Sequence, residues 1–285
     1  MIYEHEIPQG SKLYFAKSAK LKREIETVAS DILCKEGFEE IITPFFSYHQ
    51  HQSVDERKLI RFSDASNHII SLRADSTLDV VRIITRRLGR ATKQKKWFYI
   101  QPVFHYPSTE INQIGAEFIG ESNLTLCMDA AAKVFESFNI SPLLYLSNIK
   151  IPKIISKILG VPLSIFQNGE LEEILKIDEK WLKLLAKIEK KEEISAVMDI
   201  SPKPIQDELV KLYSEASKIS YQNFVIAPLF YSKMRYYDTL FFSFIHKNEI
   251  LGSGGTYRFE GHESAGFGLY TDAIVETIIK TEEEK

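Results

Sequence analysis

The sequence predicts an α+β fold, a mostly antiparallel sheet of six or more strands flanked by helices and interrupted by a helical insertion. Three patterns predict it. Short apolar or alternating bursts separated by turn residues recur in "KKWFYIQPVFHY", "NQIGAEFIGE" and "NFVIAPLFYSKMRYYDTLFFSFIHKNEILGSGGTYRF", as antiparallel strands require. Apolar residues at three-to-four spacing mark helices near both ends of the chain. Between them, residues 151–220 are rich in Lys and Glu, nearly free of aromatics, and helical in spacing.

Taken in order, Leu21, Ile25, Val28, Ala29, Ile32 and Leu33 make the inner face of a first helix, with Ser11 as its N-cap and Gly37 as its left-handed stop. "FEEIITPFFSY" reads as a strand broken, or placed at an edge, by Pro44, which has no N–H for a ladder. "HIISLRADSTLDVVRIITRRLG" begins as a strand. It turns into a helix capped by Asp75 or Ser76, with Leu78, Val81, Ile84 and Leu88 inward and Gly89 as its end. A helix, "LTLCMDAAAKVFESFNI", and a strand, "LLYLSNI", follow the next two strands. Within the helical stretch, Leu171, Ile174, Leu175 and then Trp181, Leu184, Leu185, Ile188 are the inner residues, and "DISPKPIQ" is a proline-marked joint. "HKNE" reads as a hairpin loop and "TDAIVETIIKTEEEK" as a last helix. The expected organisation is therefore 1–150 and 221–285 for the two parts of one core, with 151–220 as the insertion.

Of the 285 residues, 44% are apolar and 26% charged, and the net charge is −3. That balance lacks the surplus of Lys and Arg that phosphate contacts need, which weighs against a nucleic-acid binder. The one basic run, "RRLGRATKQKK", reads as a solvated helix end or as an anion or partner site. Cys34 and Cys127 lie far apart in apolar contexts, as core thiols and not a disulfide or metal site. No secretory pattern is present and no apolar run approaches the ~20 residues that span a bilayer, so a cytoplasmic protein without a membrane partner is expected. Phosphate-loop, dinucleotide, zinc and nucleophile-elbow motifs are absent from the sequence, and no metal, cofactor or catalytic residue is assigned. "GSGGTY" by itself is a tight strand where side chains do not fit.

The order of the pieces carries more. "GFEEIITPFF", "LRADST" ahead of a helix, "QPVFHY", "NQIGAEFIG", "MRYYDTLFF", "GGTY" and "GFGLYTDA" together resemble the catalytic domain of class II aminoacyl-tRNA synthetases, in its histidyl-tRNA synthetase branch, over nearly the whole chain. The resemblance implies a dimer interface at the first motif. It also implies an amino-acid pocket made by Asp75 (where glutamate is usual), Thr77, Gln113, Glu117, Tyr237, the Gly254–Gly255 backbone and Tyr257. The residue types suit such a ligand, because an α-ammonium takes carboxylates and an amide or hydroxyl, while an imidazole takes a carboxylate and a phenol. Read without the resemblance, Glu117 is alternatively an edge-strand carboxylate facing water, and Gln113 an amide tying strands together. Tyr236 and Tyr237 alternate along a strand, so one should face the pocket, and Tyr237 is taken as that one.

The departures from the pattern are equally informative. His105 stands where the second motif carries an arginine, and the loop after it is shortened to "PSTEI". Ser232 stands at the arginine that opens the histidine-recognition segment, Arg235 at a usual aspartate, and Thr271 at the arginine of the third motif. His105 has an alternative reading as a satisfied core histidine. Such cations stabilise the charge that develops in acyl and phosphoryl transfer, so losing them predicts no adenylation. An anticodon-binding domain is expected to be absent. A retained pocket beside lost arginines resembles the regulatory subunits of ATP phosphoribosyltransferase, the first enzyme of histidine biosynthesis. That resemblance implies a non-catalytic homodimer that assembles with a short catalytic subunit, is needed for its activity, and takes part in feedback by histidine, the possible ligand, without tRNA. The rival reading is an aminoacyl-adenylate-forming ligase, and a third is an RNA-binding relic.

Overall fold

The chain is described here by a computed structural model covering residues 6–232 and 236–283. Helix α1 (Ala16–Lys35) buries Ile25, Ala29 and Leu33 and stops at Gly37, which has φ +83°. It starts four residues later than the Ser11 cap would place it, with Phe15 at the N-cap position. Ser11 instead donates its hydroxyl to the Ser108 carbonyl, and Ser18 closes the first turn by accepting from the Phe15 amide. Cys34 is exposed on this helix, against the expectation of a core thiol, because it falls beside Leu33 on the outward side; Cys127 is buried.

Pro44 does break the next strand. Its pieces, β1 (Glu39–Glu40) and β2 (Phe46–Ser47), join different sheets. β3 (Arg61–Ser63) and β4 (Ile69–Leu72) complete a small antiparallel sheet in the order β2-β4-β3. Helix α2 (Thr77–Ile83) follows the turn that carries Asp75, and its last turn widens into a π-helical segment before Gly89.

The long strands β5 (Lys96–His105) and β6 (Thr109–Ile119), helix α3 (Leu124–Ser137) and β7 (Leu143–Asn148) come next. The chain then runs through six helices, α4 (Lys150–Leu159), α5 (Ser164–Gln167), α6 (Leu171–Lys176), α7 (Lys180–Leu185), α8 (Ile194–Met198) and α9 (Lys203–Ala216), the last entered at Pro202. In α7 the inner residues are Trp181, Leu182 and Leu185, whereas Leu184 is exposed, as are Leu171 and Leu175 in α6. These helices are too short for a full stripe to be read at helical period.

The return passes through β8 (Phe224–Ile226), β9 (Tyr237–His246), β10 (Glu249–Phe259), β11 (His262–Tyr270) and helix α10 (Thr271–Glu283). One eight-stranded sheet results, in the order β1-β5-β6-β11-β10-β9-β7-β8. Its inner strands are antiparallel, and the two edge pairs, β1 with β5 and β7 with β8, are parallel. Side chains alternate across a sheet, and the two faces have different uses here. One face, with Phe98, Ile114, Ala116, Phe242, Phe244, Phe267 and Leu269, packs against α1, α3 and α10 in a core that also takes in the buried residues of α4 to α9. The other face carries the polar cavity described below.

Candidate functional site

Strand register decides which residues meet on the second face. Tyr99 of β5 pairs with Gly115 of β6, Gly115 with Gly268 of β11, Glu117 with Gly266, and Gln113 with Tyr270. Across β10, Ser253 pairs with Gly268 and Gly255 with Gly266, while Tyr257 pairs with Tyr237 of β9. The glycines are needed because large groups lie over them. The Tyr99 ring occupies the place of a Gly115 side chain, the Glu117 carboxyl that of Gly266, and the Tyr237 ring that of Gly255.

The cavity above them is lined by Asp75, Thr77 and Gln113, by Glu117, and by Tyr99, Tyr236, Tyr237, Tyr257 and Tyr270, with Ser253 and Gly268 on the floor. Six residues expected from the sequence thus converge: Asp75, Thr77, Gln113, Glu117, Tyr237 and Tyr257. Gly254 and Gly255 are not among the lining residues. Gly254 belongs to the core face, where a side chain would strike Phe242, and Gly255 is roofed by Tyr237. Tyr99, Ser253, Gly266, Gly268 and Tyr270 line the cavity as well, beyond the residues expected. The alternation Gly266, Gly268, Tyr270 was the available signal, since period two puts all three on one face. Tyr236, assigned away from the pocket, lines it together with Tyr237, their ring centroids 5.0 Å apart. It precedes the first residue of β9, so strand alternation does not govern it.

Glu117 has no exposed surface and receives a phenol on each oxygen. The Tyr257 hydroxyl donates to Oε2 at 2.7 Å and the Tyr99 hydroxyl to Oε1 at 3.3 Å. Tyr99 also lies 3.4 Å from the Thr77 hydroxyl. Asp75 accepts from the Leu78 amide at 3.3 Å and from the Tyr236 hydroxyl. Burial pushes the Glu117 carboxyl up to about 8 and Asp75 up to about 6, because no neighbouring charge compensates the loss of water. Among the described lining residues there is no lysine or arginine. The electrostatics therefore favour a positively charged guest. The space is tight, with about 20 Å³ open to the centre of a water molecule, room for little more than one.

Comparisons with known proteins bear on this arrangement. The family model for histidyl-tRNA synthetase matches residues 14–274. An ATP phosphoribosyltransferase regulatory subunit from Wolinella succinogenes is 47% identical over 284 residues, covering 99% of each chain. The chain belongs to the ATP phosphoribosyltransferase regulatory subunit family. A second family member, from Helicobacter hepaticus, is 40% identical over 98% of this chain and 100% of its own. The solved structure of an ATP phosphoribosyltransferase regulatory subunit/histidyl-tRNA synthetase from Bacillus halodurans matches with a TM-score of 0.80 over 98% of this chain and 84% of that one, at 17% identity. The fold of this family member is accordingly the histidyl-tRNA synthetase-like one expected from the sequence.

Within this regulatory-subunit fold, the places aligned with synthetase arginines look as follows. His105 is half-buried and its Nε2 lies 3.0 Å from the Ala74 carbonyl, while burial holds its pKa below the ordinary value. Thr271 is fully buried at the start of α10, with no hydrogen-bond partner for its hydroxyl among the described residues. Ser232, at a third such place, is partly buried, and Arg235, at the usual aspartate, lies outside the described residues. Arg73, of "LRADST", is almost fully buried and spends its guanidinium on the Thr43, Pro44 and Pro102 carbonyls, over the Phe45 ring. Burial lowers it to about 10.

Proposed function

We propose that this chain is a non-catalytic regulatory subunit of ATP phosphoribosyltransferase in histidine biosynthesis, that it assembles with a short catalytic subunit, and that its cavity holds free histidine as the feedback signal. Full-length likeness to regulatory subunits at 47% identity is the observation that carries the reading. The cavity supports the choice of ligand. Two buried carboxyls, a threonine hydroxyl, an amide and a set of phenols match an α-ammonium group and an imidazole. A nucleotide triphosphate would bring more negative charge to Asp75 and Glu117, with His105 turned to a backbone carbonyl and a threonine at the start of α10. That argues against adenylation. Seating an amino acid in so tight a space requires one or more tyrosine side chains to swing outward, which gives ligand binding a conformational consequence that a partner can read.

Homodimerisation belongs to the same reading. Ile42, Phe45, Phe46, Tyr48, Phe62 and Ile69 are large apolar residues exposed on and around the small sheet, Ile42 to 81%. The Phe46 and Phe62 rings are 6.0 Å apart. An apolar patch of this kind marks a contact surface, and Ile42, Phe45 and Phe46 of it belong to the first motif.

The test is to mix the chain with a short catalytic subunit and follow phosphoribosyl transfer from phosphoribosyl pyrophosphate to ATP, with and without histidine. Stimulation that histidine reverses is expected. No stimulation and no response to histidine would remove the proposal.

A further inference from the structure

A second cavity, with about 560 Å³ open to the centre of a water molecule, shares no lining residue with the polar one. It lies between the β2 segment, which supplies Phe46, Tyr48 and His49, and helix α2 with its π-helical end, which supplies Arg82, Arg86 and Arg87. The arginines share one cavity because the helix widens. At 3.6 residues per turn Arg87 would stand about 140° round from Arg82. The π-helical turn over Ile84–Leu88, which closes between residues five apart, brings it back to the same side.

These charges are not all spent. Arg82 is 7% exposed and held in place, with its Nη1 on the Asp79 carboxylate at 2.6 Å and its guanidinium 5.7 Å from the Phe259 ring centre. Arg86 pairs with Glu260 at the surface, an exposed ion pair that costs little to rearrange. Arg87 has no hydrogen bond or ion pair among the described residues, and Arg90 and Lys93, both exposed, follow it. Farther along the same basic run, Lys95 is taken by Glu121 and Lys96 by the Glu36 carbonyl. Arg82 and Arg86 thus each answer one carboxylate, and Arg87 remains in surplus. The His49 ring registers the field, since burial lowers its pKa and Arg82 lowers it further, with Asp79 opposing more weakly.

We propose that this second cavity binds a nucleoside phosphate, its phosphate oxygens on Arg87 and Arg86 beside the fixed Arg82 and its base against Phe46 and Tyr48. The site stands or falls without the amino-acid reading of the polar cavity. Guanidinium groups match phosphate oxygens in paired hydrogen bonds. Bases of any kind stack on aromatic faces, and Phe46 and Tyr48 are each more than half exposed. Both also belong to the apolar patch around the small sheet, so the ligand sits at the edge of that contact surface. The volume falls within the usual range for small-molecule sites, about 300–1,000 Å³.

The experiment titrates the full chain calorimetrically with AMP, ribose 5-phosphate and adenosine in turn, for wild type, Arg87→Ala and Arg87→Glu, with thermal unfolding alongside. Arg87 is exposed and unbonded among the described residues, so both variants should keep the wild-type unfolding midpoint. Wild type should bind AMP more tightly than either fragment. Arg87→Ala should bind it about tenfold or more weakly, as the loss of a charge-assisted hydrogen bond predicts, and Arg87→Glu should not bind it measurably. AMP binding that both variants retain at full strength puts the nucleotide elsewhere and overturns the site. Ribose 5-phosphate bound as tightly as AMP overturns the nucleoside assignment, and adenosine bound as tightly overturns the phosphate contact. Wild type that binds none of the three overturns the proposal outright.

Discussion

Gln50 and Asp75 are joined through both ends of one carboxamide: Gln50 Oε1 accepts the Asp75 amide proton at 2.7 Å, and Gln50 Nε2 donates to the Asp75 carbonyl at 3.0 Å. The same oxygen accepts from the Ala74 amide at 2.7 Å, and the same nitrogen donates to the Asp79 carboxylate. These four bonds exhaust what a carboxamide can make, and Gln50 is 1% exposed. Asp79 is held in turn by Arg82 at 2.6 Å. The turn that brings Asp75 and Thr77 to the cavity thus hangs from a residue three positions beyond β2. Gln50→Leu leaves two buried N–H groups without an acceptor. It should lower stability by about 2–4 kcal/mol in urea denaturation, and it should weaken any ligand that depends on Asp75.

The two cavity carboxyls make stability depend on pH. Both folded values lie above the ordinary ones, 3.8 for Asp75 and 4.5 for Glu117. The folded state therefore holds protons that the unfolded state has released. That advantage is complete below the ordinary values and declines as pH rises, ending near 6 for Asp75 and near 8 for Glu117. Glu117→Gln cannot ionise, so relative to it the wild type should lose stability progressively between pH 4.5 and about 8. Denaturation midpoints of both proteins across that range check the sign.

The apolar surface around β2 gives a separate expectation. Phe46 is more than half exposed, so Phe46→Asp costs the isolated fold little but places a charge in the contact surface. Sedimentation velocity should find wild type as a dimer and the variant as a monomer with an unchanged circular dichroism spectrum. A monomeric wild type would show that this patch serves another partner.

An adenylating enzyme would exchange pyrophosphate with ATP in the presence of its amino acid. With acids and phenols, and no described lysine or arginine, lining the cavity, exchange with histidine should stay at background. Robust exchange would revive the ligase reading.

Much of the sheet was legible in the sequence because its strands alternate cleanly and its turns carry glycine or a short polar pair. β5, β6 and the β9–β10 hairpin fall where the pattern put them. The start of α1 was not legible, since Ser11 meets a carbonyl 97 residues away. Six of eight expected site residues meet because motif order preserves register. Gly254 faces the core because its mid-strand register puts it opposite Phe242 and Phe267, and Tyr236 precedes β9, beyond the reach of strand alternation; only the assembled ladder fixes either. Gln50 left no trace in the pattern, because its four bonds are all long-range.

The measurement that bears most directly on the cavity's role is calorimetric titration of the full chain with histidine near pH 7, in buffers of differing ionisation enthalpy, for wild type and Glu117→Gln. A cation entering beside a Glu117 carboxyl that ionises only near pH 8 should expel a proton, so the wild-type heat should vary with buffer and the variant should bind weakly or not at all. Equal affinities for the two proteins, or no heat of binding by wild type, would contradict the account.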